Sequence, residues 1–144
     1  MRERMSRGVP ELETLEASPK NIIYLASPYT LNGSAEENEM EKRYEQVTRC
    51  AHMMMVMGMN VFSPVTHSHA IQNSRWPLCI NTTEWLQMDF AYLTHAHGMA
   101  VLMLDGWQNS IGVTREIEFC RKHHIPVMFI QPDKFILEGI EDDE

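Results

Sequence analysis

The stretch "GMAVLMLDGWQNSIGVTREIEFC", Gly98 to Cys120, decides the fold. Its first part, MAVLML, is an unbroken apolar run of the kind that forms a strand buried on both faces. A polar turn with Asp105 and Gly106 follows. Ser110 or Gly112 then begins a helix that reaches His124. Within that helix Val113, Ile117 and Cys120 recur at i, i+4 and i+7 and form a core-facing stripe. Two glutamates sit two positions apart, which is about 200° of rotation, so they cannot share a face. Glu118 lies with Thr114, Arg115, Arg121 and Lys122 and reads as solvated. Glu116 borders the buried stripe near the helix start. It either complements the helix dipole or is a carboxylate placed for chemistry. The small residues of "NSIG" favour chemistry, because a serine and a glycine at a helix start expose backbone N–H groups to an anion or hydroxyl.

The same alternation runs outward in both directions. NIIYLAS, 21–27, is a short β-branched run stopped by Pro28 and predicts the first strand. From about Ala35 to Met57 the chain is free of Pro and Gly and reads as a helix closed by Gly58. MNVFSPV, 59–65, predicts the second strand, and the following THSHAIQNSRWPLCIN reads as irregular. Thr82 or Thr83 caps a helix extending to about His97, ended by Gly98, and PVMFIQ forms the last strand. Strands alternating with helices predict a flavodoxin/Rossmann-like three-layer α/β sandwich on a four- to five-stranded parallel sheet. Ligands of such sheets bind beyond the carboxyl ends of the strands. Those ends are "ASPYT", "SPVTHSH" and "LDGWQNS". Residues 1–20 read as a loosely ordered arm, 21–135 as the domain, and 136–144 as an acidic tail.

Composition narrows the function. A net charge of −8 argues against binding a nucleic-acid polymer, which requires a basic face. It leaves room for a small anion held by local donors. Three cysteines without metal-type spacing fit a reducing, cytoplasmic setting. No apolar run approaches the ~20 residues that cross a bilayer, so no membrane partner is expected.

The motifs "YLASPYT" on the first strand, "VFSPVTHSH" on the second, a Trp and an Asp on one helix, and "GWQNSIGVTREIE" resemble the nucleoside 2-deoxyribosyltransferase superfamily. The similarity spans about residues 21–130 and is closest to small phage and bacterial members of unassigned function. The superfamily also includes 2′-deoxynucleoside 5′-monophosphate N-glycosidases. The resemblance implies that Glu116 is the nucleophile, that Tyr24 orients it by a hydrogen bond, and that Asp89 contacts the sugar and assists proton transfer to the base. It implies that Ser110 meets the 5′ end of the sugar. An aspartate stands there in enzymes acting on free nucleosides, and a serine suits a phosphate, so a nucleotide substrate is expected. Hydrolysis is favoured over base exchange on the same ground. The resemblance also implies assembly as a homodimer or larger homo-oligomer. "SPYTLNGS" departs from the glycine-rich run that the monophosphate hydrolases carry after the first strand, so no contacts are carried over there.

Further candidates for the ligand pocket are Gly112, Ser27, Tyr29, His67, Asp105 and Trp107. Asp105 is either a sugar contact or a turn residue. Trp107 and Trp85 either stack on a base or pack in the core. The pairs in "THSHA" and "THAHG" raise a metal site built from His67, His69, His95 and His97. The first pair, on a strand, would share a face. The second sits at a helix end where i,i+2 residues diverge. No metal and no cofactor is expected, and His95 and His97 read as partners of a helix C-terminus. "HMMMVMGM" reads as a helix packed all round, at a subunit contact. Cys120 lies on the buried stripe, where a thiol is inert.

Overall fold

The computed structural model describes residues 21–30, 37–73 and 82–135. The arm at 1–20, the tail at 136–144, and Gly33 and Cys79 lie outside them. In chain order the elements are β1 (Ile23–Ala26), α1 (Glu37–Val56), β2 (Val61–Phe62), α2 (Pro64–Gln72), α3 (Thr82–Leu93), β3 (Gly98–Leu102), a 3-10 turn (Trp107–Asn109), α4 (Ile111–Lys122), β4 (Val127–Ile130) and the short α5 (Pro132–Phe135).

Four strands form one parallel sheet in the order β2-β1-β3-β4. The protein is therefore an α/β sandwich of the flavodoxin/Rossmann-like kind. Alternation along each strand divides the core into two layers. Ile23, Leu25, Ala100 and Leu102 pack with Val47, Cys50 and Met54 of α1 and Val65 of α2. Tyr24, Ala26, Met99 and Val101 face the other way, against Leu93, Val113 and Cys120. Burying a side chain such as Val113, which is 1% exposed, contributes about 2 kcal/mol. That clamp holds α4 on the sheet and carries Glu116 inward with it. Among the described residues no helix is long and apolar enough to cross a membrane.

Glycine closes α1 as expected. Gly58 has φ 97°, a left-handed value that L side chains rarely adopt, and the Met59 N–H donates back to the Met54 carbonyl at 3.1 Å. The methionines of α1 are not packed all round, since Met54 is buried and Met55 is half exposed.

Two boundaries differ from expectation. The second strand does not run over 59–65; it stops at Phe62, and 64–72 is the helix α2. Ser63 is its N-cap, with its hydroxyl accepting the Thr66 N–H at 3.1 Å, and Pro64 occupies the first turn. A proline there has no N–H to give a strand ladder and is preset for a helix start. His67 and His69 are thus on a helix and diverge rather than sharing a face. His67 sits near Phe62 and Tyr92, whereas His69 sits among Tyr29 and Tyr44.

The other change concerns α3, which ends at Leu93 rather than His97. The His97 N–H donates to the Ile22 carbonyl at 2.8 Å, and the Ile22 N–H donates to His97 Nδ1 at 3.0 Å. His97 therefore docks the start of β3 beside β1 instead of partnering a helix terminus.

Candidate functional site

Parallel order β2-β1-β3-β4 means that the chain leaves β1 toward one side and β3 toward the other. A crevice opens where those directions part, at the carboxyl ends of β1 and β3. A cavity of about 360 Å³ occupies that place. Ser27, Tyr29 and Thr30 reach it from the end of β1, and Trp85, Leu86 and Asp89 from α3. Ser110, Ile111, Gly112, Val113 and Glu116 line it from the start of α4. The remaining wall comes from α2, through Pro64, Val65, Ser68 and Gln72, with Met40 of α1.

Glu116 lines this cavity and is 5% exposed. The Tyr24 hydroxyl donates to its Oε2 at 2.5 Å, across 92 positions of chain. Tyr24 is fully buried, its ring tilted against Phe62 with centroids 6.0 Å apart. The phenol is thus fixed by packing before it fixes the carboxylate. Burial pushes the Glu116 carboxyl up to about 8; the Tyr24 hydrogen bond works against that rise, and the nearby Asp89 adds to it. Burial likewise pushes Asp89 up to about 7. Tyr24 is held well above its ordinary value, by burial first and then by the charge of Glu116. Two carboxyls with raised, coupled affinities for protons in one cleft is the electrostatic pattern of an acid–base site.

The start of α4 turns polar groups toward the cavity. Ser110 caps it, accepting the Val113 N–H at 3.2 Å. The N–H groups of Ile111 and Gly112 lie in the first turn, where helix N–H groups have no intrahelical acceptor. A Cβ added at Gly112 would meet only the Ser110 hydroxyl, at 3.9 Å. The protein's own packing does not require a glycine there, and the absence of a side chain leaves the cavity open at this point. Ser27, which lines the same cavity, has a buried hydroxyl without a hydrogen-bond partner. An unpartnered buried hydroxyl is costly unless a ligand or water satisfies it.

Of the residues expected from sequence, Glu116, Asp89, Ser110, Gly112, Ser27 and Tyr29 converge on this cavity, and Tyr24 stands behind Glu116. The other three, His67, Asp105 and Trp107, lie elsewhere. His67 borders an adjoining groove of about 240 Å³ with Ser68, Trp85, Met88, Asp89, Ala91 and Tyr92. Asp105 is exposed in a turn closed by the Trp107 N–H on the Leu104 carbonyl at 3.0 Å, with Gly106 at φ 85°. That assigns Asp105 the turn role. Trp107 packs on the core layer of α4, its ring 5.4 Å from that of Phe129.

The converse holds for Trp85, which lines the cavity and whose Nε1 donates to Gln72 Oε1 at 2.7 Å, tying α3 to α2. The contribution of α2 is not evident from apolar periodicity. Its signal was present in Ser63-Pro64, a helix cap and first-turn proline. Once that helix is granted, Val65, Ser68 and Gln72 fall on one face at i, i+3 and i+7. Among the described residues no group of three or more His, Cys, Asp or Glu side chains stands close enough to hold a metal ion.

A comparison with curated proteins finds no match to the chain. A family model described as a domain of unknown function, DUF1937, matches residues 21–131. That match runs from the residues just before β1 to the end of β4, and so takes in both sides of the switch point together with Tyr24, Asp89 and Glu116. On this ground the chain belongs to the DUF1937 family.

Proposed function

We propose that this protein is an N-glycosidase that cleaves the bond between base and sugar in a (deoxy)nucleoside 5′-monophosphate. The observation that carries the proposal is the Glu116 carboxyl, buried in the lining of the switch-point cavity and held by the Tyr24 hydroxyl at 2.5 Å. Breaking an N-glycosidic bond builds positive charge on the anomeric carbon. A carboxylate beneath that carbon stabilises the charge and captures it as a glycosyl ester. Glu116 supplies the carboxylate, and the Tyr24 hydrogen bond favours its ionised form. Asp89 supplies a proton to the departing base and takes one from the water that opens the ester. Net consumption is one water, and the products are free base and sugar phosphate.

The raised proton affinities fit this division. The pair holds a single proton between about 7 and about 8. The working arrangement has that proton on Asp89 and a bare Glu116 carboxylate. The pair shares this proton, and its exchange between the two carboxyls reaches that arrangement. Positive charge on the sugar then draws the equilibrium toward it. The 5′-phosphate belongs with Ser110, Gly112 and the first N–H groups of α4, where a helix N-terminus favours an anion. The alternative acceptor, a second base, would make the same site a deoxyribosyltransferase. The proposal includes a homo-oligomer, with Met88 and Tyr92, both exposed on α3, as contact residues.

Incubation with the common 2′-deoxynucleoside and ribonucleoside 5′-monophosphates, followed by chromatography for free base, tests the reading. Base release that is lost in Glu116→Ala supports it. Binding of these nucleotides without release of any base would instead make the protein a nucleotide sensor, with Glu116 holding sugar hydroxyls.

A further inference from the structure

One cavity residue is held in a manner that the proposed chemistry does not use. The Tyr29 hydroxyl lies 2.6 Å from His69 Nδ1, and His69 Nε2 lies 3.0 Å from Glu41 Oε1. Tyr44 of α1 stacks on the His69 ring at 3.9 Å between centroids and 15° between planes. Arg43 donates to the Tyr29 carbonyl at 2.5 Å, and Asn73 donates through Nδ2 to the His69 carbonyl at 2.9 Å. Elements α1 and α2 therefore fix both the ring of His69 and the backbone of Tyr29.

The polarity of the chain of hydrogen bonds follows from its end. A carboxylate only accepts, so the Nε2 facing Glu41 carries a hydrogen. With the ring neutral and its hydrogen on Nε2, Nδ1 is the acceptor and the phenol donates to it; this tautomer is the one assigned to His69. With its one hydrogen committed to His69, the Tyr29 oxygen has only lone pairs to offer the cavity. Burial, the largest influence on Tyr29, holds the phenol above its ordinary value, with the Asn73 amide opposing and Glu41 reinforcing. The proton therefore remains on the oxygen, available to His69.

We propose that Tyr29, set by His69 and Glu41, is a specificity-determining residue that presents a hydrogen-bond acceptor on the cavity wall at the end of β1, and so selects a ligand bearing a donor there. The inference rests on the nucleotide reading above and deepens it. A nucleotide offers donors of two kinds, the exocyclic amino group of its base and the hydroxyls of its sugar. A carbonyl oxygen or a phosphate facing Tyr29 would set acceptor against acceptor and is disfavoured. The phosphate is thereby directed away from Tyr29, to the start of α4.

The test is equilibrium binding by calorimetry to the full chain carrying Glu116→Gln, so that the ligand survives. The base arm compares dAMP with dIMP and dCMP with dUMP, which exchange an amino group for a carbonyl. The sugar arm compares dCMP with its 2′,3′-dideoxy analogue. The donor-bearing member of at least one arm should bind about 10-fold tighter or more, and the arm that discriminates identifies the donor. Adding Tyr29→Phe, which keeps the ring and its packing, should bring that ratio close to one. Adding Glu41→Gln, at a side chain 54% exposed and so harmless to folding, should reduce the ratio by freeing the tautomer of His69. Equal binding in both arms, or a ratio that survives Tyr29→Phe, overturns the role of Tyr29 and leaves the glycosidase reading standing. Failure of every monophosphate to bind overturns that reading, and this inference with it.

Discussion

Replacing Glu116 by Gln should make the protein more stable, and increasingly so as pH rises. The side chain is 5% exposed, and its carboxyl moves from an ordinary 4.5 up to about 8 on folding. An acid whose folded value is raised binds more protons folded than unfolded between those two values. Its stability is therefore fully present below pH 4.5 and is lost as pH rises through about 8. At about 1.36 kcal/mol per unit of displacement, the ionised group costs roughly 5 kcal/mol once fully charged. Gln has the same shape, can accept the Tyr24 hydrogen bond, and never ionises. Relative to wild type, Glu116→Gln should gain about 1 kcal/mol at pH 5, about 3 kcal/mol at pH 7 and about 5 kcal/mol at pH 9. Asp89 titrates in both proteins and cancels to first order. Urea unfolding at the three pH values, followed by circular dichroism, measures the differences at constant m. A gap that does not widen with pH, or a wild type more stable at pH 9, would mean that Glu116 is not a buried, desolvated carboxyl. It would also remove the physical basis for its catalytic role. The gain in stability should coincide with loss of base release, as expected where a site is maintained at the expense of stability.

Other consequences follow from the same geometry. The pH profile of kcat/KM should be a bell with limbs near about 7 and about 8, because activity requires one proton on the Asp89–Glu116 pair. A profile flat from pH 5 to pH 9 would exclude that pair as the acid and base. Tyr24→Phe removes the donor that favours ionised Glu116. The alkaline limb should move to higher pH, the rate should fall on the order of 10-fold or more, and unfolding measurements should show a loss of about 1–3 kcal/mol from the unpartnered carboxyl. Gly112→Ala should leave stability unchanged or raise it by up to about 1 kcal/mol, since alanine is the better helix former and its Cβ clashes with nothing. The added methyl should nevertheless raise KM for the nucleotide by narrowing the anion-binding turn. An unchanged KM would remove α4's first turn from the phosphate site.

The elements of this protein were legible where the signal is local. MAVLML reads as a buried strand, Ser110 or Gly112 as the start of α4, and Glu116 as the inward glutamate, because each depends on spacing within a few residues. Ser63-Pro64 carries an equally local signal, but the apolar run MNVFSPV continues through it and hides the start of α2. Correcting that one boundary moves His67 out of the cavity and brings Ser68 and Gln72 in. Asp105 and Trp107 sit close to Ser110 in sequence, yet the left-handed turn at Gly106 directs them elsewhere.

From the order of its residues alone, the protein was already an alternating α/β chain with an acidic group near a helix start. Only packing could bring Tyr24 to Glu116, or Tyr29 to His69 and Glu41. Those contacts depend on β3 lying beside β1 and on α2 lying beside α1. Strand order is set by the cooperative burial of two core layers, and periodicity within a single element says which face is buried but not what it is buried against.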